Sequence, residues 1–200
     1  MALIINCDTI KESLDGYNPA EAEKFHTTSA KQADKEYEIA IKNAKKNEYE
    51  SVIFLCGGSA SGKTEFVDSH LKELNAIILD STFSSKEGAK NKIRPAKKKN
   101  LKISVYFIQP ASLIASYQTF LGRDRQFPVE YFIKTHIGAR KTALLLLEEY
   151  PEIQFNYIIN QSFDQRIRFE SLLLEPKDMI EILVTEQLTE DEITEIIYST

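Results

Sequence analysis

The chain has 200 residues, 42% of them hydrophobic, which suits one α/β domain with a modest extension and is enough for a full core. A formal net charge of −5 argues against a protein that coats nucleic acid, although Lys86 to Lys102 is basic and Glu170 to Glu195 is acidic. Nowhere do about eighteen apolar residues run together, Ile4-Ile5 follows no basic leader, and Cys7 and Cys56 lack metal-ligand spacing; the expectation is no membrane span, no secretion and a reducing cytoplasm.

In chain order, Asn18-Pro19 with Glu21 reads as a cap, a first-turn proline and an acidic first turn. Phe25, Ser29, Ala33, Tyr37, Ala40, Ile41 and Ala44 then recur at three- and four-residue steps, which predicts an amphipathic helix from Pro19 to about Lys46. Residues 1–48 are therefore expected to form a helical extension packed on the core. Val52 to Cys56 reads as a buried strand, and Glu65 to Leu71 as the helix after it. Further strands are predicted at Ala76-Ile77-Ile78-Leu79, ending at Asp80, at Ile103 to Ile108, ending at Gln109-Pro110, and at Phe155 to Ile159. Helical segments separate them at about Ser84 to Lys98, Ala111 to Phe120 and Val129 to Tyr150. This alternation predicts a parallel sheet with helices on both faces, a core over residues 49–165 and a helical tail over 166–200 with a start at Thr189-Glu190-Asp191-Glu192.

Gly57-Gly58-Ser59-Ala60-Ser61-Gly62-Lys63-Thr64, between the first predicted strand and its helix, fits the phosphate-binding pattern G-x-x-x-x-G-K-[ST]. Such a loop, the P-loop, turns backbone N–H groups toward a polyphosphate; its Lys63 reaches the β- and γ-phosphates and its Thr64 hydroxyl holds Mg²⁺. The fold class expected is the three-layer P-loop nucleoside triphosphate hydrolase fold, with ATP or GTP and Mg²⁺ as cofactors. Asp80 is the carboxylate that closes a predicted strand, since the later ones end in Gln109 and Asn160. It is placed to take a proton from a substrate hydroxyl or to act through Mg²⁺; the other reading is a helix cap in Asp80-Ser81-Thr82.

Leu121 to Pro128 is a polar connection between helices that offers Arg123 and Arg125 on a mobile lid, as cations for a transferring phosphoryl group, or as surface arginines of a solvated turn. His136 and Arg140 share one helix face and could point into the site, with a partly buried helix position as the plainer reading for His136. Lys86, Lys90, Lys92, Arg94 and Lys97 to Lys99 carry no aromatic stacking platforms beyond Phe83, which favours a solvated basic helix face over a nucleic-acid surface.

The loop at Gly57 to Thr64, Asp80 after the next strand, the helix Phe25 to Lys31 before the loop, and Arg123-Asp124-Arg125 with Pro128 together resemble the zeta toxin family of P-loop kinases over about Phe25 to Asn160. The resemblance implies a cytoplasmic ATP-dependent kinase that phosphorylates a nucleotide sugar such as UDP-N-acetylglucosamine and is held inactive by a small antitoxin. It further implies Lys63 and Thr64 as phosphate and Mg²⁺ ligands, Asp80 as the base, and Arg123 and Arg125 as lid arginines. Ser81 to Glu87 stands where those toxins tend to have a basic residue and a His-Pro element, so the likeness is strongest in the nucleotide half. A nucleotide-binding regulatory protein and a polynucleotide kinase are the alternatives.

Overall fold

Six strands form one sheet: β1 (Leu3–Asn6), β2 (Ser51–Cys56), β3 (Ala76–Asp80), β4 (Lys102–Pro110), β5 (Gln154–Asn160) and β6 (Phe169–Leu172), in the order β1-β3-β2-β4-β5-β6. The computed structural model describes residues 1–162, 168–185 and 188–199. The first five strands run parallel and β6 pairs antiparallel with β5. β2 and β3 are almost wholly buried apolar runs, the pattern of central parallel strands covered on both faces.

The helices are α1 (Cys7–Glu12), α2 (Ala22–Asn43), α3 (Lys63–Phe66), α4 (Lys86–Lys98), α5 (Leu113–Leu121), α6 (Val129–Glu149), α7 (Pro176–Thr185) and α8 (Glu190–Tyr198). A 3₁₀ turn at Pro19–Glu21 leads into α2, and a π-helical stretch at Val67–Leu71 continues α3. Alternate residues of the strands divide the core. Phe54, Cys56, Leu79 and Phe107 pack with α2, α4, α6 and α7, while Ile53, Leu55, Ile78 and Ile108 pack with Phe66, Val67 and Leu71. Helices thus cover both faces, an arrangement compatible with a three-layer α/β fold.

Local chemistry explains the boundaries. Asn18 accepts from Ala20 N–H to open the turn before α2, whose buried Ala22, Ser29, Ala33, Tyr37, Ala40 and Ile41 follow the three- and four-residue spacing. The Tyr37 hydroxyl donates to Lys92 O at 2.7 Å and ties α2 to α4. Thr189 and Glu192 form a reciprocal capping box at the start of α8.

The extension expected to be only helical also supplies sheet: β1 adds an edge strand beside β3, with Asn6 in register with Asp80. The tail is likewise not all helix, because β6 adds the opposite edge. Both are four-residue edge strands, too short for a strong alternating pattern. The boundary expected at 165/166 lies outside the described residues. No helix among the described residues is long and apolar enough to cross a membrane.

Candidate functional site

The segment from Gly57 to Thr64 leaves the carboxyl end of β2, where the next strand, β3, lies on one side and β4 on the other. In open α/β sheets such a reversal of strand order opens a crevice for ligands. Three elements grip the segment by its carbonyls. His136 of α6 donates to Ser59 O at 2.9 Å, Ser116 of α5 to Ala60 O at 3.0 Å, and Asn160 at the end of β5 to Ser61 O at 3.0 Å. Thr135 accepts from Ser59 N–H at 3.0 Å. With these carbonyls turned into the protein, the first N–H groups of α3, which have no intrahelical acceptor, form the positive end of a helix at the mouth of the crevice.

Close packing explains two of the glycines. A Cβ at Gly58 would overlap the His136 ring, and one at Gly62, whose φ is 92°, would overlap the Asn160 side-chain amide. His136 is fully enclosed. Burial pushes its imidazole down to about 3, with Lys63 and Arg140 adding to the effect against the Ser59 bond, so it is neutral at pH 7 and Nε2 carries the proton it donates. Neither His136 nor Arg140 lines the cleft described below, contrary to the expectation that both could face the site; both are buried, and His136 packs against Gly58 and Ser59.

Lys63 Nζ donates to Gly58 O at 2.7 Å and Gly57 O at 3.1 Å. Burial pushes its ammonium down, while Asp80 pulls it back up. The Thr64 hydroxyl donates to Asp80 Oδ2 at 2.8 Å, and Asn6 Nδ2 donates to the same oxygen at 2.6 Å. Asn6 Oδ1 accepts from the N–H groups of Asp8 and Thr9 as the N-cap of α1, which fixes the amide so that its nitrogen faces the carboxylate. Burial pushes the Asp80 carboxyl up, opposed by Lys63 and the Thr64 bond. Asp80 is thus a buried strand-end carboxylate held by two donors, and among the described residues neither donor takes it as a helix cap.

The two arginines have different surroundings. Arg125 pairs with Asp8 Oδ2 at 2.7 Å, and Asp8 also pairs with Lys11 Nζ at 3.0 Å. Lys11, only 1% exposed, lies over the Phe127 ring. Burial raises the Asp8 carboxyl, but Lys11 and Arg125 outweigh it and hold it below the usual range. The Gln126 N–H donates to Pro19 O at 3.0 Å, so the connection expected as a mobile lid is docked on the N-terminal segment in this structure. Arg123 makes no ion pair among the described residues. Burial pushes its guanidinium down, with Arg125 adding to this and Glu65, Asp8 and Asp80 opposing.

A cleft of 260 Å³ brings Lys63, Thr64, Asp80 and Arg123 to one end, and its walls include His26, Ala33, Phe127 and Tyr131. A smaller cavity of 130 Å³, lined by Ser112, Thr119, Asn160 and Ser162, meets the same loop from the β4–β5 side. Arg123 borders both. Among the described residues there is no cluster of three or more His, Cys, Asp or Glu suited to a metal. The basic run lies on α4, where Lys90, Lys92 and Lys97 pair with Glu149, Asp34 and Glu152.

No family model matches this chain, and no curated protein matches it. Its geometry carries the functional reading. Sequence reasoning missed Asn6, Asp8, Lys11, Ser116 and Thr135; the available signal was Asn6 followed by Asp8, a helix cap with an acidic first turn.

Proposed function

We propose that this chain is a kinase with the three-layer P-loop fold, moving the γ-phosphoryl group of ATP or GTP to a hydroxyl of a small molecule, as in the zeta toxin family it resembles. The observation that carries the reading is the 2.8 Å bond between Thr64, at the start of α3, and Asp80, at the end of the adjacent strand. Two hard oxygen donors meet there beside the half-buried Lys63, which suits Mg²⁺ bound by one carboxylate plus substrate phosphates and not by a protein cage. Thr64 and Asp80 would hold the ion, whose contribution is to offset the negative charge of the phosphates.

The chain's own groups divide the remaining work. The N–H groups of the loop and Lys63 hold the β- and γ-phosphates, and the loop's fixed carbonyls keep it from rearranging as charge develops. The acceptor oxygen bonds to the γ-phosphorus while the bond from phosphorus to the β,γ-bridging oxygen breaks and the nucleoside diphosphate leaves. The acceptor's proton passes to Asp80 Oδ1, the carboxylate oxygen that accepts from neither Thr64 nor Asn6. Arg123, which borders both cavities and is free of an ion pair among the described residues, is the arginine we assign to the transferring group. Arg125 is engaged by Asp8.

By the same resemblance the protein would work in the cytoplasm and be restrained by a small antitoxin. Incubation with γ-labelled ATP and a panel of nucleotide sugars, sugars, nucleosides and oligonucleotide ends tests the reading. Label on an acceptor with wild type, and loss of it with Asp80→Asn, is the expected result; bound nucleotide with no transfer to any acceptor contradicts it.

A further inference from the structure

Many polar groups in the walls of the 260 Å³ cleft are engaged by the protein itself. Lys92 pairs with Asp34 and Arg125 with Asp8, the Thr82 and Ser84 hydroxyls bond each other at 3.0 Å, and the Ser85 hydroxyl caps α4. His26 Nδ1 and Ser81 Oγ have no partner among the described residues, but the protein covers both atoms and no ligand reaches them. Tyr131 is different. Its hydroxyl also has no hydrogen-bond partner among the described residues, and it is not one of the covered polar atoms. The charges of Asp8, Arg123 and Arg125 all act on it, and these three residues line the cleft as Tyr131 does, which places the hydroxyl on the cleft side of its ring.

The ring that carries this hydroxyl is held in place. Tyr131 sits in the first turn of α6, where its ring stacks on Phe127 with centroids 4.5 Å apart and meets the His26 ring edge-on at 5.5 Å. Lys11 Nζ lies over the Phe127 ring at 4.8 Å. A hydroxyl on so fixed a ring loses little freedom when it bonds a ligand. Burial pushes the phenol up, Asp8 and Cys7 add to this, and Arg123 and Arg125 oppose it. The group therefore keeps its proton at pH 7: it can donate a hydrogen bond, but it does not take the acceptor's proton, which is the part assigned to Asp80. An aromatic wall that ends in a hydroxyl donor suits a compound whose ring C–H groups lie on the wall while one of its oxygens reaches the hydroxyl.

We propose that Tyr131 is a specificity-determining residue of the acceptor site, its hydroxyl donating to an oxygen of the acceptor other than the one that is phosphorylated. The acceptor is then a ring-bearing compound with at least two oxygens. A sugar, a nucleoside and a nucleotide sugar all meet that description; benzyl alcohol, with a ring and one oxygen, does not. This rests on the kinase reading of the same site and deepens it, by naming a residue outside the loop, Asp80 and the two arginines.

The test gives the full chain γ-labelled ATP with nucleotide sugars, sugars, nucleosides and oligonucleotide ends, and with benzyl alcohol beside them. The best acceptor should exceed benzyl alcohol about tenfold or more in kcat/KM, because a site built to bond an oxygen rejects the analogue that lacks it. For that acceptor, Tyr131→Phe keeps the ring against Phe127 and His26 and should raise KM about five- to tenfold, the loss expected for one hydrogen bond, with the KM for ATP within about twofold. A merely structural role would move the melting temperature and both KM values together. In protein labelled on its tyrosine rings, the one signal of nine that Tyr131→Phe removes should shift when the acceptor is added to wild type. Thermal melting shows whether the variant is folded, and Tyr131→Met, which removes the same hydroxyl and the same signal, replaces it if it is not. An unshifted Tyr131 signal, an unchanged acceptor KM in a folded variant, or benzyl alcohol equal to the best acceptor overturns the proposal and leaves the kinase reading standing. No transfer from wild type to any acceptor overturns the kinase reading, and this proposal with it.

Discussion

The Thr64 hydroxyl donates to Asp80 over 2.8 Å, and Asn6 reaches the same carboxylate oxygen from the neighbouring edge strand at 2.6 Å. A residue of the loop helix, a residue at the end of β3 and the last residue of β1 therefore share one oxygen. Asp80→Asn keeps the shape but removes the charge and the proton acceptor. It should lower transfer by about 10²-fold or more even at saturating Mg²⁺ and nucleotide, measured by steady-state kinetics. Asn6→Ala should slow transfer by about tenfold, the equivalent of roughly 1.4 kcal/mol in the barrier, because Asp80 loses its orienting donor.

Arg123 and Arg125 should separate in kinetics. Arg123→Ala should cost about 10²–10³-fold in kcat, as for removal of one donor to developing charge. Arg125→Ala should alter stability more than kcat, and by less than Asp8→Ala, because the pair between Asp8 and buried Lys11 survives it. Equal kcat losses for the two arginine variants would count against this assignment.

Lys11 is buried and depends on Asp8 for its countercharge. Asp8→Ala should destabilise the chain by about 3 kcal/mol, the low end for breaking a buried pair because Asp8 is itself partly exposed. Lys11→Met should be near neutral, and the double variant should recover most of the loss, read from urea midpoints.

Gly58 has no room for a side chain because the His136 ring occupies it. Gly58→Ala should cost about 1–3 kcal/mol through overpacking and weaken nucleotide binding by moving the loop. Combining it with His136→Ala should restore part of the stability by opening space. A single Gly58→Ala variant as stable as wild type would show that the ring and the loop are not in contact.

His136 also predicts a pH dependence. Its folded value is lowered to about 3 from an unfolded value of 6.5, so between these the unfolded chain binds the proton and the folded chain does not. Its contribution is fully present above the unfolded value and falls as pH drops through this window, by up to about 1.4 kcal/mol per pH unit. His136→Gln should flatten that part of the stability profile relative to wild type. An unchanged slope in urea melts between pH 6.5 and pH 3 would show that His136 is not held neutral.

Much of the fold was legible because its central elements are long or uniformly apolar. β2 and β3 are continuous apolar runs, and α2 and α6 are each longer than twenty residues with regular spacing. The loop and Asp80 were legible from pattern and position. β1, α1 and β6 were not, because four to six residues give little periodicity and an edge strand does not need two apolar faces. That gap hid Asn6 and Asp8, and with them the difference between Arg123 and Arg125. Ser116, Thr135 and the part that His136 plays escaped for another reason: they hold the loop backbone, His136 and Ser116 by its carbonyls and Thr135 by the Ser59 N–H, from elements far away in sequence, which no local spacing encodes.

The most direct test of the central claim is calorimetric titration of the wild type and Lys63→Ala with Mg²⁺ and a non-hydrolysable ATP or GTP analogue. A one-to-one complex is expected with the wild type, and binding weakened about tenfold or more in the variant, the scale of a lost charge-assisted bond to phosphate. No binding to a folded wild type, or equal affinity in the two proteins, would contradict it.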